Sequence, residues 1–198
     1  GKVRLDVLNP SWIIFGEGFR ASPVQRALER GLDVIASSAL LILASPFMLL
    51  AVVAIKLEDG INSPVLYRQR RVGRYSECFD VLKFRSMSVD AEKDGAVWAV
   101  KNDPRVTRVG ACMRKTRIDE LPQLFNVLRG DMSFVGPRPE RPEFVEQLEQ
   151  KIPYYRERHT VKPGITGWAQ LCYPYGSSEK DALEKLQYDL YYVKNRSL

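Results

Sequence analysis

The longest hydrophobic run in the chain covers residues 34–55 and contains no charged residue. As an α-helix rising ~1.5 Å per residue it would extend about 33 Å, enough to cross a hydrocarbon core of roughly 30 Å. The run lies too far from the start of the chain, and lacks the small-residue cleavage pattern, to be a secretory signal. Hydropathy alone therefore predicts a membrane-spanning helix.

Two features of this run favour a re-entrant helix hairpin instead. Pro46 follows Ser45 past the middle of the run; a proline removes a backbone hydrogen bond and bends a helix, and a serine hydroxyl can satisfy the freed carbonyl. Positive charge flanks both ends, and such flanks prefer the cytoplasmic side. The flanking residues are Arg20, Arg26, Arg30, Lys56, Arg68, Arg70, Arg71 and Arg74. The residues alone leave both topologies open, because bent spanning helices are common.

Shorter patterns after this run predict a small β component. Residues 65–73 and 78–87 have the length and composition of two strands. In the second strand the expected core side chains are Phe79, Val81 and Phe84. Lys83 and Arg85 lie on either side of Phe84 and should point away from it.

Helical patterns dominate the rest of the chain. A short helix is expected within residues 105–117, and residues 143–158 are amphipathic. Residues 161–170 form a Gly/Pro turn followed by strand-like residues. The last segment opens with a serine cap and runs as an amphipathic helix whose apolar positions are Leu183, Leu186, Leu190 and Tyr191. Together these patterns predict an α+β fold that is mainly helical.

An acidic pair, Asp119 and Glu120, precedes a predicted helix near the centre of the chain. Pro122 is tolerated in a first helical turn, and Gly130 suits the position just after the last turn, which contains Arg129. The predicted buried face of this helix consists of Leu121, Leu124, Phe125 and Leu128. An aspartate before a helix is a common cap, so this helix alone leaves a structural and a catalytic role open.

Basic residues surround the acidic pair, and the downstream ones lie on a proline-stiffened loop. These residues are Arg114, Lys115, Arg117, Arg138 and Arg141. Arginine forks bind phosphate oxygens bidentately. A carboxylate can attack phosphorus, or it can hold a Mg²⁺ ion that bridges phosphates. This combination, close to a membrane anchor, indicates phosphoryl chemistry.

Composition indicates the number of domains, the charge of the binding partner and the cellular compartment. The 198 residues fit one domain, and a net charge of +6 with a pI near 9.3 indicates an anionic partner. Three scattered cysteines without metal spacing indicate a reducing, cytoplasmic setting, and the single histidine, His159, leaves little room for a histidine-based metal site. The chain begins at Gly1 and stops after a helical pattern, which indicates a piece of a longer protein. Residues 1–20 then form a linker or the remnant of an upstream domain.

Several stretches, taken in order and spacing, resemble the bacterial sugar transferase family, the monotopic phosphoglycosyl transferases that prime glycan assembly on polyprenol phosphate. The matching stretches are residues 30–46, 67–73, 79–87, 105–139, 161–170 and 188–198. The ending YPYGSSEKDALEKLQYDLYYVKNRSL is most similar to the exopolysaccharide branch associated with exosortase-type sorting. The family usually continues past this ending with another helix, so the resemblance implies a truncated C-terminus.

The resemblance implies a fold as well. A re-entrant membrane helix would cover residues 21–58 and break at Ser45–Pro46. A cytoplasmic catalytic domain with amphipathic interfacial helices would cover residues 59–198. Arg30 and Asp33 match polar positions at the membrane interface; the alternatives for them are a snorkelling arginine and a helix-entry aspartate.

The resemblance further implies roles for the site residues. Asp119 would be the nucleophile and a metal ligand, with Glu120 as its partner. The residues expected to bind substrate phosphate are Lys83, Arg85, Arg114, Arg117 and Arg138. Surface lysine and loop arginines are the structural alternatives for this set.

The function implied is transfer of a sugar-1-phosphate from a UDP-sugar to undecaprenyl phosphate. It would take place on the cytoplasmic face of the bacterial inner membrane, in contact with its lipid, with Mg²⁺ as cofactor and Mn²⁺ able to substitute. A homodimer is left open, and the missing Walker, zinc-finger and RNP-type motifs predict no nucleic-acid partner. Two alternatives stay open: a non-catalytic polybasic adaptor on acidic lipid, and a nucleic-acid-binding module. The identity of the sugar should depend on loops such as 88–103 and 172–178.

Overall fold

The computed structural model describes residues 22–91, 103–174, 176 and 178–195. The helices are α1 (Pro23–Asp59), α2 (Arg108–Thr116), α3 (Gln123–Arg129), α4 (Pro142–Lys151), α5 (Trp168–Cys172) and α6 (Glu179–Asn195). The strands are β1 (Leu66–Val72), β2 (Cys78–Phe84), β3 (Ser133–Val135) and β4 (Gly164–Thr166). Short 3₁₀ turns cover Arg74–Ser76, Ile118–Glu120 and Tyr155–Thr160. The predicted fold class, mainly helical with a small β component, is confirmed.

Helix α1 is capped by Ser22, whose hydroxyl accepts a hydrogen bond from the Gln25 amide at 3.1 Å. It runs for 37 residues and passes through Ser45–Pro46 without interruption. The Ser45 hydroxyl donates to the Ile42 carbonyl at 2.8 Å. That carbonyl is the one Pro46 cannot reach, because proline has no N–H. The serine therefore compensates for the proline within a continuous helix, and the predicted break at this pair is not an interruption of the helix; the hairpin stays a prediction.

The surface of α1 is apolar. Among the described residues it is the one helix with the length and composition to cross a membrane. Only 11% of its most apolar 18-residue segment is buried. The core helix of a soluble protein would bury such a window. The large apolar side chains left exposed along its middle are Ile35, Leu40, Ile42, Leu43, Phe47, Leu49, Leu50 and Val53. This surface is suited to lipid.

The N-terminal part of α1 is hydrogen-bonded to α3 and β3. The Arg30 guanidinium donates to the carbonyls of Val127 and Leu128 at 2.6 and 2.5 Å. These carbonyls lie in the last turn of α3, where carbonyls lack the usual partner four residues later in the helix. Val127 also accepts from the Gly130 amide at 3.1 Å. The buried Asp33 carboxylate accepts from the Phe134 amide at 3.1 Å and from the Ser133 hydroxyl at 3.0 Å.

The C-terminal part of α1 contacts the same folded unit. Ala51 and Ile55 are buried in a cluster with Phe84 of β2 and residues of α2. The Glu58 carboxylate accepts from the Arg108 and Val109 amides at 2.8 and 3.0 Å. It therefore satisfies two of the open N–H groups that begin α2. Both ends of α1 are thus fixed to one domain.

The two strand pairs place the loops of the site. The two predicted strands are confirmed as β1 and β2, and they pair antiparallel with Gln69 opposite Val81. Val81 and Phe84 are buried as predicted, whereas Phe79 is only partly buried. β3 and β4 form a short parallel pair. β4 lies within residues 161–170, where strand-like residues were expected after a turn, whereas β3 was not predicted.

Helix α3 buries a different face from the one predicted. Leu124 is buried, but Phe125 is 46% exposed, and the fully buried positions are Asn126 and Val127. The Asn126 amide donates to the Asp80 carbonyl at 2.8 Å and its side-chain oxygen accepts from the Leu82 amide at 3.0 Å. These two bonds to β2 fix the rotation of the helix and turn Phe125 outward.

Helix α6 covers the other side of the domain. Its start is capped by Ser178, whose hydroxyl accepts from the Asp181 amide at 3.2 Å. Leu186 and Leu190 are fully buried against Val145 and Leu148 of α4. The predicted serine cap and the main apolar positions of this helix are confirmed.

Candidate active site

The acidic pair lies on a 3₁₀ turn between α2 and α3. Arg117 ends α2 in the left-handed conformation, with φ of 61°. The chain reverses there, so that Asp119 and Glu120 fall in the turn Ile118–Glu120, three residues before α3 begins at Gln123. The prediction that the pair precedes a helix is confirmed, but a separate turn carries it. Gly130, with φ of 100°, ends α3 as predicted.

Three cations converge on one oxygen of Glu120. The Glu120 Oε1 atom lies 2.6 Å from Arg138 Nη2, 3.7 Å from Arg117 Nη1 and 3.8 Å from Lys83 Nζ. Burial raises the pKa of Glu120, but the Arg138 charge and hydrogen bond, followed by Lys83 and Arg117, lower that pKa by more. Glu120 is therefore a fixed anion that holds the three cations together.

Asp119 differs from Glu120 both in its hydrogen bonding and in the direction of its pKa shift. The residue is 8% exposed, and its buried Oδ1 atom has no hydrogen-bond partner among the described residues. Burial first, and then the Glu120 charge, raises the pKa of Asp119; Lys83, Arg114 and Arg117 oppose this shift without reversing it. An uncommitted buried oxygen is unusual in folded proteins and suits a group that bonds to substrate.

Lys83 connects the acidic pair to the β-hairpin. Its position opposite Tyr67 in the register places it on β2, facing the turn. Burial and then the Arg138 charge lower the pKa of Lys83 to about 8, although Glu120 and Asp119 favour its charged form. A lysine in this state is a cation at neutral pH that loses its proton a little above it.

Arg138 lies on the loop between β3 and α4, and β1 holds this loop. The Arg71 guanidinium donates to the Pro139 carbonyl at 3.0 Å and pairs with Glu140 at 3.2 Å. The Val72 amide donates to the Glu140 carbonyl at 2.9 Å. Arg71 was not among the residues predicted for the site; its place in the basic stretch 67–74 was the only signal for it.

The structure does not bring every predicted residue to the acidic pair. The Arg114 Nε atom donates to the Ser86 hydroxyl at 2.8 Å. The charge of Arg114 lowers the pKa of Asp119 from a distance, with no ion pair between the two described side chains. Arg85 is buried and turned away: it pairs with Asp59 at 2.7 Å and donates to the Pro64 carbonyl. Arg85 therefore ties the end of α1 to β2 and is not part of this group.

The interfacial residues also lie elsewhere. Arg30 and Asp33 join α1 to α3 and β3, as described above, rather than to the acidic pair. Ser45 and Pro46 lie in the middle of α1, where the helix surface is exposed.

A metal ion would find few protein ligands here. The described residues contain no group of three or more His, Cys, Asp or Glu side chains placed to hold one. Mg²⁺ needs only one or two carboxylates when phosphates and water supply its other ligands. The unpaired Oδ1 of Asp119 fits that requirement, whereas Glu120 is occupied by three cations.

The sequence matches the model of a protein family described as bacterial sugar transferase over residues 24–198. An N-acetylgalactosaminephosphotransferase of Aeromonas hydrophila, named for UDP-N-acetylgalactosamine and undecaprenyl phosphate, is 46% identical over 198 residues, which is 100% of this chain and 46% of the relative. A UDP-glucose:undecaprenyl-phosphate glucose-1-phosphate transferase of Escherichia coli (strain K12) is 44% identical over 181 residues, or 89% of this chain and 38% of the relative. The exopolysaccharide production protein PSS of Rhizobium leguminosarum bv. phaseoli is 41% identical over 177 residues, covering 86% of this chain and 88% of the relative.

The chain spans less than half the length of the first two relatives. The family match, by contrast, includes both halves of the site: the β-hairpin with Lys83 and the segment from Asp119 to Arg138. On this evidence the chain belongs to the bacterial sugar transferase family.

Proposed function

We propose that this protein transfers a sugar-1-phosphate from a UDP-sugar to undecaprenyl phosphate, at the start of exopolysaccharide or other surface glycan assembly. One observation carries the proposal: Asp119 offers a buried carboxylate oxygen, without a hydrogen-bond partner in the described part of the chain, beside cations that Glu120 holds in place. The substrate class is that of the Aeromonas hydrophila and Escherichia coli relatives, and the exopolysaccharide setting is that of the Rhizobium leguminosarum relative.

The first step forms a covalent intermediate. An Asp119 oxygen attacks the β-phosphorus of the UDP-sugar, and the bond from that phosphorus to the bridging oxygen breaks. UMP leaves with the electron pair, and the sugar phosphate stays on Asp119 as an acyl phosphate. Lys83 and Arg138, held by Glu120, offset the charge that develops on the phosphoryl oxygens.

The second step releases the product. A phosphate oxygen of undecaprenyl phosphate attacks the same phosphorus, the bond from phosphorus to Asp119 breaks, and the carboxylate is regenerated. No proton needs to move in either step, because both nucleophiles are anions. Glu120 therefore acts as an anchor for cations rather than as a base, in keeping with its lowered pKa.

Magnesium fits this scheme as a partner of the diphosphate. Asp119 would provide the protein ligand, and the ion would neutralise phosphate charge. Mn²⁺ has similar preferences for oxygen ligands and is expected to substitute.

The contacts of α1 support a re-entrant topology at the cytoplasmic face of the inner membrane. Arg30 and Asp33 bind α3 and β3, while Glu58 binds the start of α2. These elements belong to one folded domain, and one domain cannot lie on both sides of a bilayer. The apolar middle of the helix, around Pro46, would then enter the membrane and return.

Intact-protein mass spectrometry tests the covalent route. The protein is mixed with a UDP-sugar in the absence of polyprenol phosphate, and a sugar-phosphate adduct is expected on the peptide that contains Asp119. Asp119→Asn should lose the adduct and the release of UMP. The matched control is Glu179→Gln, which removes an exposed carboxylate far along the chain and should keep both.

Two outcomes would contradict the proposal. Sequential kinetics without an adduct, even under rapid quench, would leave Asp119 as a metal ligand only. Absence of UMP release from wild type, together with binding to acidic vesicles that Asp119→Asn leaves intact, would favour the polybasic adaptor.

A further inference from the structure

A buried arginine contacts the main chain of Arg138. Arg158 lies in the 3₁₀ turn Tyr155–Thr160 and is 6% exposed. Its Nη2 atom donates to the Arg138 carbonyl at 2.9 Å. Arg138 therefore has two contacts: its side chain pairs with Glu120 at 2.6 Å, and its main-chain carbonyl accepts a hydrogen bond from the Arg158 guanidinium.

Helix α6 holds this second guanidinium in turn. Asp189 Oδ2 lies 3.0 Å from Arg158 Nε and 2.8 Å from Nη2, and Arg158 Nη1 donates to the Tyr155 hydroxyl at 2.9 Å. Asp189 is 2% exposed and Tyr155 is 3% exposed. All three nitrogen atoms of the guanidinium have partners, so its plane is fixed.

The sequence of the loop explains why it is held in this way. Pro137 and Pro139 have no backbone N–H, so they cannot anchor the loop as donors. The three consecutive carbonyls are each held instead. Pro137 accepts from the Gly164 amide at 3.0 Å, Arg138 accepts from Arg158, and Pro139 accepts from Arg71.

We infer that Arg158 and Asp189 are positioning residues, which fix the main chain of Arg138 so that its guanidinium stays against Glu120 and beside Lys83. The inference rests on the proposed function, because the role of Arg138 toward substrate phosphate is proposed there. Through this contact the last helix of the described chain sets the geometry of the phosphate-binding group.

Stability alone does not account for a buried ion pair at this place. Two buried charges lose their hydration, and replacing such a pair by apolar residues is often neutral or stabilising. A planar guanidinium can reach Asp189, Tyr155 and the Arg138 carbonyl at the same time, which an ammonium group cannot. Arg158→Lys therefore keeps the charge opposite Asp189 but loses part of this set of contacts.

Lys83 reports on the position of Arg138. The charged groups that act on Lys83 are Arg138 and Arg71, which lower its pKa, and Glu120 and Asp119, which raise it. If the Arg138 guanidinium moves away, the repulsion falls while Glu120 remains. The pKa of Lys83 should then rise above its value of about 8.

The experiment measures this titration directly in the full chain. Lys83 is labelled with trace acetic anhydride across a pH series, and its extent of reaction is read by mass spectrometry. Arg158→Lys and the isosteric Asp189→Asn should shift the labelling midpoint upward, in the direction given by the reference variant Arg138→Gln. The control is Leu148→Ala, which opens a cavity in the core under α6 and removes none of these hydrogen bonds; its midpoint should match wild type.

Activity provides a second readout. Misplacing a binding group by about 1 Å can cost on the order of 100-fold in rate. We expect Arg158→Lys to lower kcat/KM for the UDP-sugar by about 10- to 100-fold, with a fall in kcat, and Asp189→Asn to fall between it and wild type. Leu148→Ala should lower the melting temperature more than it lowers kcat/KM.

The possible results separate the two proposals. A wild-type midpoint in both Arg158→Lys and Asp189→Asn, in folded protein, would overturn the positioning role. If Leu148→Ala shifts the midpoint equally, the effect is general loosening and the inference also fails. If wild type releases no UMP while the midpoints move as expected, the proposed function is wrong and the positioning of Arg138 stands.

Discussion

Asp119→Asn should abolish transfer and Glu120→Gln should slow it severely, yet the two substitutions should change stability in opposite directions. Asp119→Asn removes a charge from a buried oxygen that has no hydrogen-bond partner among the described residues, so it should stabilise the fold. Glu120→Gln removes the anion that three cations share, so it should destabilise the fold. Each variant serves as the control for the other.

The magnitudes follow from burial. An unpaired buried polar group costs about 1–3 kcal/mol, and the amide that replaces Asp119 should recover about 1 kcal/mol of it. Breaking a fully buried ion pair costs about 3–5 kcal/mol. The side chains of Glu120, Lys83 and Arg138 are 12, 19 and 31% exposed, which lowers this figure to about 1–3 kcal/mol. For a chain of this size, about 1 kcal/mol moves the melting temperature by roughly 2–4 °C.

The pH dependence gives a further check on sign. Asp119 has a raised pKa when folded, so its destabilising effect appears as pH rises from the usual 3.8 through the raised value and is complete above it. Glu120 has a lowered pKa, so its stabilising effect is present above the usual 4.5 and is lost as pH falls through the lowered value. The difference in stability between each variant and wild type should therefore be present at pH 7 and shrink toward zero in strong acid.

The assay is thermal unfolding of wild type, Asp119→Asn and Glu120→Gln in one detergent at pH 7. We expect a rise of about 2–4 °C for the first variant and a fall of about 2–12 °C for the second. Two shifts of the same sign would refute the assignment of different electrostatic states to the two carboxylates. An increase for Asp119→Asn that persists below the usual pKa range would point to packing rather than charge.

Three other predictions concern pH, metal and topology. The kcat/KM profile should fall on its alkaline side near pH 8 as Lys83 loses its proton, and Lys83→Arg should move that fall upward if it retains activity; an unchanged profile would remove Lys83 as the titrating group. EDTA should abolish turnover and Mg²⁺ or Mn²⁺ should restore it, whereas full activity in chelator would exclude the metal. Single cysteines placed at Gln25 and Gly60 in intact cells should both be protected from an impermeant reagent, and labelling at one end only would indicate a spanning helix. Pro46→Leu should shift the helix toward spanning, because it restores a backbone bond and removes a bend.

Periodicity and local chemistry predicted much of this fold. The uncharged run gave α1, the two strand-like runs gave the β-hairpin, and the Pro122 and Gly130 signals bracketed α3. These features depend on residues close together in sequence. The exposed Phe125 was missed because two hydrogen bonds from Asn126 to β2 set the rotation of α3, and a single helix does not contain that information.

The sequence predicted several residues of the candidate site, but not the tertiary contacts that separate them from their neighbours. Lys83 and Arg138 were both expected to bind substrate phosphate, and both lie next to Glu120. Arg85, two residues from Lys83, was expected there too but pairs with Asp59. Alternation within a strand could not separate these two basic residues, since it assigns positions 83 and 85 to the same face. In the structure β2 ends at Phe84, so Arg85 lies just outside the strand. Arg158 and Asp189 lie in segments that look like ordinary amphipathic structure, and only the tertiary contact reveals their relation to the loop.

The contacts of α1 also have a consequence for biosynthesis. Arg30 and Asp33 bind residues that follow them by 97 to 101 positions. At a synthesis rate of about 5–20 residues per second, these partners emerge roughly 5–20 s after the helix. If the helix inserts as proposed, its basic flanks and the Ser45–Pro46 pair are present throughout that interval, whereas these contacts are not. The later contacts would then fix the orientation already chosen, so a nascent chain that had crossed the bilayer could not complete its domain.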